Sequence, residues 1–228
     1  MKLKVIACKM FEPYLEYVKN ENVEYDITFL EMALHTKPQN MEKIIQSLID
    51  SSQDFDGIVL LYGECGGGSK NLTTNKTPVL LFDLPDCIHI LCDSYESDTY
   101  YHSCGYLRGS KSFVANKINY EKAGYDSHPD YKEYCEKYGK KNALEILKFC
   151  DSWKKNYKKC AYITANLPMD KKHLNESQKI AHDMNWNHKE VFGTLEKLRK
   201  ILCFDTTAEF VRIILPKENT EFIPHNLV

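Results

Sequence analysis

The sequence predicts an α/β fold, a three-layer α/β/α sandwich around a mostly parallel, Rossmann-like sheet, and three observations support this prediction. Short continuous apolar runs, typical of parallel strands buried on both faces, recur along the chain. Segments with helical apolar spacing lie between these runs. No internal repeat, linker or low-complexity tract divides the 228 residues, which favours a single domain over residues 1–228.

Four strands are predicted in the first half of the chain, each from an apolar or β-rich run. They lie at residues 3–8, 23–30, 57–62 and 78–82. A helix is predicted after the second strand, because Pro38 suits a helix start and an apolar face follows it from Met41 to Ile49. Strands that alternate with helices form parallel sheets, and such sheets bind ligands outside the carboxyl ends of their strands.

The second half of the chain is predicted to begin with an irregular, aromatic-rich excursion at residues 95–130 that caps the site. Helices are predicted at residues 131–158, 169–186 and 189–202. Two further strands are predicted at residues 160–165 and 210–215. We expect these two strands to extend the sheet that the first half of the chain begins.

The charge balance and the hydropathy argue against two classes of partner. The chain has 30 Lys and Arg against 32 Asp and Glu, a net charge of −2, so no strong positive field attracts nucleic acid or an anionic membrane. No apolar run is long enough to span a bilayer, and the apolar stretch within MKLKVIACKM is too short for a signal peptide. We therefore expect a cytoplasmic protein.

The cysteine content is high for a cytoplasmic protein. Nine cysteines are present, at positions 8, 65, 87, 92, 104, 135, 150, 160 and 203. In a reducing compartment, metal binding or thiol chemistry is a more usual role for cysteine than a disulfide framework. The composition therefore directs attention to the places where cysteines gather.

Three of the cysteines fall at the predicted carboxyl edge of the sheet. Cys8 ends the first strand, Cys65 follows the third strand, and Cys87 lies in the first turn of a helix after the fourth. Three thiolates with one open position suit a transition metal such as zinc or iron, or an iron–sulfur cluster. No CxxC or zinc-ribbon spacing is present, so this convergence depends on the fold. Alternatively, Cys8 and Cys87 are small buried apolar residues.

A metal-free catalytic site is a second interpretation of the same residues. Cys87 at a helix N-terminus and Cys65 among turn amides are predicted to have lowered pKa values, which would make either a nucleophile. His35, in the loop after the second strand, is a candidate proton donor or a fourth metal ligand. Asp86, beside Cys87, is more typical of a helix cap than of a catalytic acid.

The glycine-rich turn after the third strand is a candidate cofactor-binding loop, because backbone amides in such turns can cradle an anion. Its candidate residues are Gly63, Gly66, Gly67, Gly68 and Ser69. The turn matches neither GxxxxGK(S/T) nor GxGxxG, which weakens a nucleotide-binding interpretation. The alternative is that the glycines permit positive φ angles and close approach of the backbone.

Several of these segments, taken in order, resemble one protein family. They are VIAC, ALHTKP, GIVLLYGECGGGS, DLPDCIHIL, TYYHSCGYLRG, CAYITANLP and WNHKEVFGTLEKL. Together they resemble the domain of unknown function 1638 family, found largely in methanogenic archaea and anaerobic bacteria. The resemblance implies a shared site at Cys8, His35, Cys65 and Cys87. It also implies an association with corrinoid-dependent methyltransferase systems, which is not itself a chemical argument.

Two positions depart from the family pattern. Gly67 stands where the family usually has Asn, and the usual basic residue upstream of Asp86-Cys87 is missing, which argues against an anionic substrate group. No DxHxxG motif for cobalamin is present.

We expect a metal-binding or iron–sulfur protein whose partner is a small-molecule substrate or a corrinoid methyltransferase component. The alternatives are a metal-free cysteine-nucleophile transferase and a non-catalytic accessory protein.

Overall fold

The computed structural model describes residues 1–36, 38–109 and 117–216, and these form two compact units. The first unit contains Met1–Ser94 and the described residues from Gly193 onward, and the second unit contains Tyr95–Phe192. Each unit has its own sheet. We predicted one domain with one sheet. The strand predicted at residues 160–165 instead pairs with two neighbours that the sequence analysis had not recognised as strands.

Most of the strands are parallel to their neighbours. The strands are β1 (Lys2–Cys8), β2 (Glu24–Leu30), β3 (Gly57–Leu61), β4 (Val79–Phe82), β5 (Thr99–Ser103), β6 (Lys159–Thr164), β7 (Asn187–Phe192) and β8 (Val211–Ile214). The first sheet has the order β2-β1-β3-β4-β8, in which β8 alone runs antiparallel, and the second sheet, β5-β6-β7, is all parallel. The predicted Rossmann-like α/β class with mostly parallel strands is confirmed.

Helices connect these strands. The α-helices are α1 (Glu12–Leu15), α2 (Pro38–Asp50), α3 (Cys87–Leu91), α4 (Cys104–Gly109), α5 (Tyr120–Ala123), α6 (Tyr131–Tyr138), α7 (Lys140–Asp151), α8 (Asp170–Met184) and α9 (Glu196–Leu202). Short 3-10 helices lie at Lys9–Phe11, Met32–Thr36, Cys65–Gly67, Tyr125–Ser127 and Ser152–Asn156. Among the described residues, no helix combines the length and apolar character needed to cross a membrane.

The centre of the first sheet determines where a ligand would bind. Strands β1, β3 and β4 are almost wholly buried, as their aliphatic sequences predict. The chain proceeds from β1 to β2 on one side and from β3 to β4 on the other, so the strand order reverses between β1 and β3. Open α/β sheets bind ligands at such a switch point, outside the carboxyl ends of the strands.

Three predicted features of residues 95–202 were wrong. Residues 95–130 are not wholly irregular, because they include β5, α4 and α5. The helix predicted at 189–202 is strand β7 followed by the shorter helix α9. β7 is a partly exposed edge strand with a polar sequence, so it lacks the apolar run by which the other strands were recognised. The helix predicted at 131–158 is divided at Gly139, which has a positive φ of 77°.

Candidate functional site

The three cysteines predicted as ligands all lie at or shortly after the ends of neighbouring strands of the first sheet. Cys8 is the last residue of β1 and is 2 % exposed. Cys65 begins the 3-10 helix after β3, and Cys87 is the first residue of α3, which follows β4. All nine cysteines of the chain are free thiols. Because β1, β3 and β4 are adjacent in the sheet, their carboxyl ends bring the three residues to one edge.

Two backbone hydrogen bonds join the loop that carries Cys65 to the turn that precedes Cys87. The Glu64 amide donates to the Leu84 carbonyl at 2.8 Å, and the Cys65 amide donates to the Pro85 carbonyl at 3.0 Å. A Cβ atom added at Gly63 would lie 2.6 Å from the Leu84 carbonyl oxygen, a distance that real Cβ atoms do not tolerate. Glycine at position 63 therefore allows the two loops to approach closely.

The ionisation of the three thiols is coupled. Burial raises the pKa of Cys8 to about 11 and that of Cys65 to about 12, and it raises the pKa of Cys87 well above its ordinary value. The negative charge of an ionised Cys8 raises the pKa of Cys65 and Cys87 further. At neutral pH all three are protonated.

This result is opposite to the lowered pKa values predicted for Cys65 and Cys87. Some of the Cys87 residue is exposed, but its thiol is buried, and burial outweighs the favourable field at the start of α3. The helix has only five residues, so its dipole is small. For Cys65, the nearby charges of Cys8 and Asp86 add to the effect of burial.

Tyr62 is a site residue that the sequence analysis missed. It follows β3 directly and is 1 % exposed, and the register of β1 and β3 places it beside Cys8, because Ala7 is opposite Leu61. Burial raises its pKa most, and the charges of Cys8, Cys65 and Cys87 raise it further. The only sequence signal was the position of Tyr62 at the predicted end of an apolar strand, which is also where core tyrosines occur.

The glycine-rich loop closes on itself through local contacts. The Ser69 hydroxyl donates to the Gly63 carbonyl at 2.9 Å, and the Arg212 guanidinium donates to the Ser69 carbonyl at 3.2 Å. Gly67 has a φ of 94°, as the prediction of positive φ angles requires. Gly66 lies in the 3-10 helix and Gly68 follows it. Cys65 itself has a φ of 47°, which is strained for a residue with a side chain.

Asp86 caps α3, as predicted. Its carboxylate accepts hydrogen bonds from the amides of Ile88, at 2.9 Å, and His89, at 3.2 Å. The same carboxylate oxygen lies 2.8 Å from Nδ1 of His89, so an Asp–His pair stands beside Cys87. The charge of Asp86 also raises the pKa of Cys65 and Cys87, after the larger effects of burial and of neighbouring thiols.

The arrangement of possible ligands is not that of a preformed metal centre. The backbone of His35 lies in the 3-10 helix Met32–Thr36, and its side chain is outside the described part of the chain. Among the described residues, no group of three or more His, Cys, Asp and Glu side chains is positioned to hold a metal ion. The structure therefore brings the three thiols to one edge of the sheet without closing them into a coordination shell.

Comparison with known proteins identifies a family but no characterised relative. A family model described as protein of unknown function (DUF1638) matches residues 29–202. Cys65 and Cys87 lie inside this range, whereas Cys8 precedes it. Searches of curated proteins and of solved structures found no match.

Proposed function

The chain belongs to this family of proteins of unknown function, and from the position of its thiols we propose that it binds a transition-metal ion or an iron–sulfur cluster through Cys8, Cys65 and Cys87. The observation that carries the proposal is the convergence of three thiols, distant in sequence, at the switch point of a parallel sheet. Ligands of open α/β sheets bind at this position.

The chemistry of the donors supports a soft metal. Thiolate sulfur is the preferred ligand of zinc, of copper(I) and of iron–sulfur centres. Burial raises the pKa of all three thiols, so ionising them without a counterion is costly. A bound cation removes that cost, because metal binding releases the thiol protons and compensates the negative charges.

Binding requires a small local closure of the thiols around the ion, since no described group is arranged as a finished site. The Cys65–Gly67 segment is suited to such an adjustment. Cys65 already has a strained backbone, and a Cβ atom added at Gly67 would have no neighbour within 4 Å. Strain of this kind is commonly found where a binding site changes conformation.

Three protein ligands leave one position of a tetrahedral ion for a small-molecule substrate or for His35. A metal ion in such a position polarises a bound group or activates a bound water or thiol. We propose this substrate-facing role in place of metal-free nucleophilic catalysis, because the raised pKa values leave little reactive thiolate at neutral pH. A corrinoid methyltransferase component remains a proposed partner.

Anaerobic purification followed by metal analysis and absorption spectroscopy tests the proposal. We expect near-stoichiometric metal in the wild-type protein, with sulfur-to-iron charge-transfer bands for a cluster and a colourless sample for zinc. Cys8→Ser, Cys65→Ser and Cys87→Ser should each lose most of the metal, because each removes one of three ligands. Cys92→Ser is the matched control, since Cys92 is also 2 % exposed and lies in the same unit.

Folded wild-type protein that contains no metal, and takes up neither zinc nor iron when these are added anaerobically, contradicts the proposal. Equal metal loss in Cys92→Ser and the three site variants contradicts the assignment of the ligands. In either case, a single fast-reacting cysteine in an alkylation time course would favour the nucleophile interpretation.

A further inference from the structure

The second unit contains a cavity of about 310 Å³ at the amino ends of β6 and β7. Lys158 and Trp186 line it, and each directly precedes one of these strands. The other walls are the start of α5, the 3-10 helix after it, and the end of α7 with the 3-10 helix that follows. Small-molecule pockets occupy roughly 300–1,000 Å³, so this cavity suits a ligand at the small end of that class.

The walls of the cavity are held together by hydrogen bonds from side chains. The Lys154 ammonium donates to the Ile118 carbonyl at 2.8 Å, which joins the segment before β6 to the segment before α5. The Asn119 amide and the Lys122 ammonium each donate to the Asp183 carbonyl at 2.7 Å, which joins α5 to the end of α8. The cavity is therefore formed without a ligand, as small-molecule sites usually are.

The charges that line the cavity leave one lysine without a carboxylate. Lys154 is paired with Asp151 at 2.8 Å, and Lys155 is paired with Glu121 at 2.9 Å. Lys158, the third lysine of the lining, has no ion-pair partner in the part of the chain that the structure describes. The lining therefore carries one uncompensated positive charge, which favours a ligand with one anionic group.

Aromatic side chains supply the apolar part of the lining. They are Tyr125, Tyr157 and Trp186. Trp186 is 7 % exposed and also belongs to the hydrophobic core of the second unit, so its ring is fixed by packing. The rings of Tyr157 and Trp186 have their centroids 6.0 Å apart and their planes inclined by 64°. Fixed rings of this kind favour a ligand with a planar, aromatic body.

We propose that this cavity binds a small aromatic carboxylate, whose ring packs against Tyr157 and Trp186 and whose carboxylate accepts a hydrogen bond from Lys158. Ring packing and a charge-assisted hydrogen bond favour such a ligand over an aliphatic or a neutral one. α/β sheets usually bind ligands at the opposite edge, so the side chains of the cavity, and not the sheet topology, carry this inference. The inference does not depend on the metal proposed for the first unit.

Isothermal titration calorimetry with benzoate, benzamide and acetate tests the inference. Benzoate has a ring and a charge, whereas benzamide lacks the charge and acetate lacks the ring. We expect the wild-type protein to bind benzoate at least about tenfold more tightly than either of the others. Protein that does not bind benzoate contradicts the inference. Equal affinity for benzoate and acetate, or for benzoate and benzamide, contradicts the role of the rings or of Lys158 respectively.

Two lysine variants locate the binding site. Lys158→Met removes the uncompensated charge and leaves both ion pairs in place, so benzoate affinity should fall by roughly tenfold or more. Lys141→Met is the matched control, because Lys141 is an exposed lysine of α7 in the same unit and outside the lining. Equal affinities in the two variants overturn the inference.

A nuclear magnetic resonance measurement reports on the cavity directly. The chain has two tryptophans, so the indole N–H signal that persists in Trp153→Phe belongs to Trp186. This signal should move when benzoate is added, because Trp186 lines the cavity. A Trp186 signal that saturating benzoate leaves unchanged would place the binding elsewhere and overturn the inference.

Discussion

Burial acts in opposite pH directions on the site thiols of the first unit and on a buried histidine of the second unit. The first unit buries the thiols of Cys8, Cys65 and Cys87, which burial keeps neutral by retaining their protons. The second unit buries His102, which burial keeps neutral by excluding a proton, and lowers its pKa to about 3. The same physical cause, the cost of charge in an apolar interior, therefore raises the pKa of the thiols and lowers that of the imidazole.

The two clusters also differ in where they lie. His102 and its neighbours are within the strands and a helix of the second unit: His102 Nδ1 is 2.9 Å from the Ser177 hydroxyl, which lies 3.0 Å from Nε2 of His188. The Cys160 sulfur is 3.3 Å from the same His102 nitrogen. These groups satisfy one another in their neutral forms and require no ligand. The thiols of the first unit lie beyond the strand ends, where α/β sheets bind ligands.

The largest change in the free energy of unfolding is expected at acid pH, in the second unit. The pKa of His102 is lowered from 6.5 to about 3, mainly by burial and further by the charges of Lys117 and His188. The stability that depends on neutral His102 is fully present above pH 6.5. It is lost as the pH falls toward 3, because over this range the unfolded chain binds a proton at His102 and the folded chain does not. This loss amounts to roughly 4 kcal/mol in the free energy of unfolding.

Both tryptophans, Trp153 and Trp186, lie in the second unit, so their fluorescence reports its unfolding by urea. In His102→Asn, the free energy of unfolding should decrease less steeply with falling pH than it does in the wild type, whatever the substitution does to stability at neutral pH. An unchanged slope between pH 6.5 and 3 would show that another group is responsible.

The next effect is expected at alkaline pH, in the first unit. The pKa of Cys8 is raised from 9.0 to about 11, so its contribution to stability is complete below pH 9 and is lost as the pH rises through 11. For Cys8 alone this is roughly 2 to 3 kcal/mol in the metal-free protein. Urea midpoints followed by circular dichroism should fall over this range in the wild type and fall less in Cys8→Ala.

The effect of zinc on stability should differ between the two units. Thiols that bind an ion have already lost their protons, so zinc-loaded protein should keep its midpoint over the alkaline range where metal-free protein loses it. The acid dependence of the second unit should be the same with and without zinc. If the urea midpoint falls equally at alkaline pH with and without zinc, the thiols do not bind the metal.

The smallest effect is expected from the packing of the loop after β3 against the turn before α3. Gly63→Ala places a Cβ atom against backbone atoms of Leu84 and Asp86, so both loops must shift at a cost of about 1 to 3 kcal/mol. Because these loops hold Cys65 beside Cys87, zinc affinity should fall as well. Gly67→Ala is the control, since its Cβ enters open space and only the positive φ opposes it. Equal losses of zinc affinity in the two variants would contradict the role of Gly63.

The part of the fold that holds the thiols could be predicted from the sequence. Strands β1, β3 and β4 are continuous aliphatic runs; β1 ends on Cys8, and a cysteine follows β3 and β4 shortly after each ends, so adjacency of the strands was enough to predict that the cysteines lie at one edge. The second sheet was not predicted, because β5 has an aromatic and polar sequence and β7 is a polar edge strand. Neither shows the aliphatic pattern on which the prediction depended.

The site was predicted less completely than the strands, because its properties depend on burial. The pKa of Cys87 was predicted to fall from its place at a helix start, but the depth of its thiol, which sequence position does not reveal, reverses that direction. The role of Gly63 depends on its close approach to Leu84, which belongs to another loop, and Tyr62 lies beside Cys8 only through the register of two strands. Such long-range contacts have no signature in the local sequence.

The most direct test of the central claim is X-ray absorption spectroscopy at the zinc edge, on protein loaded with one equivalent of zinc under anaerobic conditions. If Cys8, Cys65 and Cys87 share the ion, the first coordination shell should contain three sulfur atoms at about 2.3 Å. A shell made only of nitrogen and oxygen, or one with a single sulfur, would contradict the account.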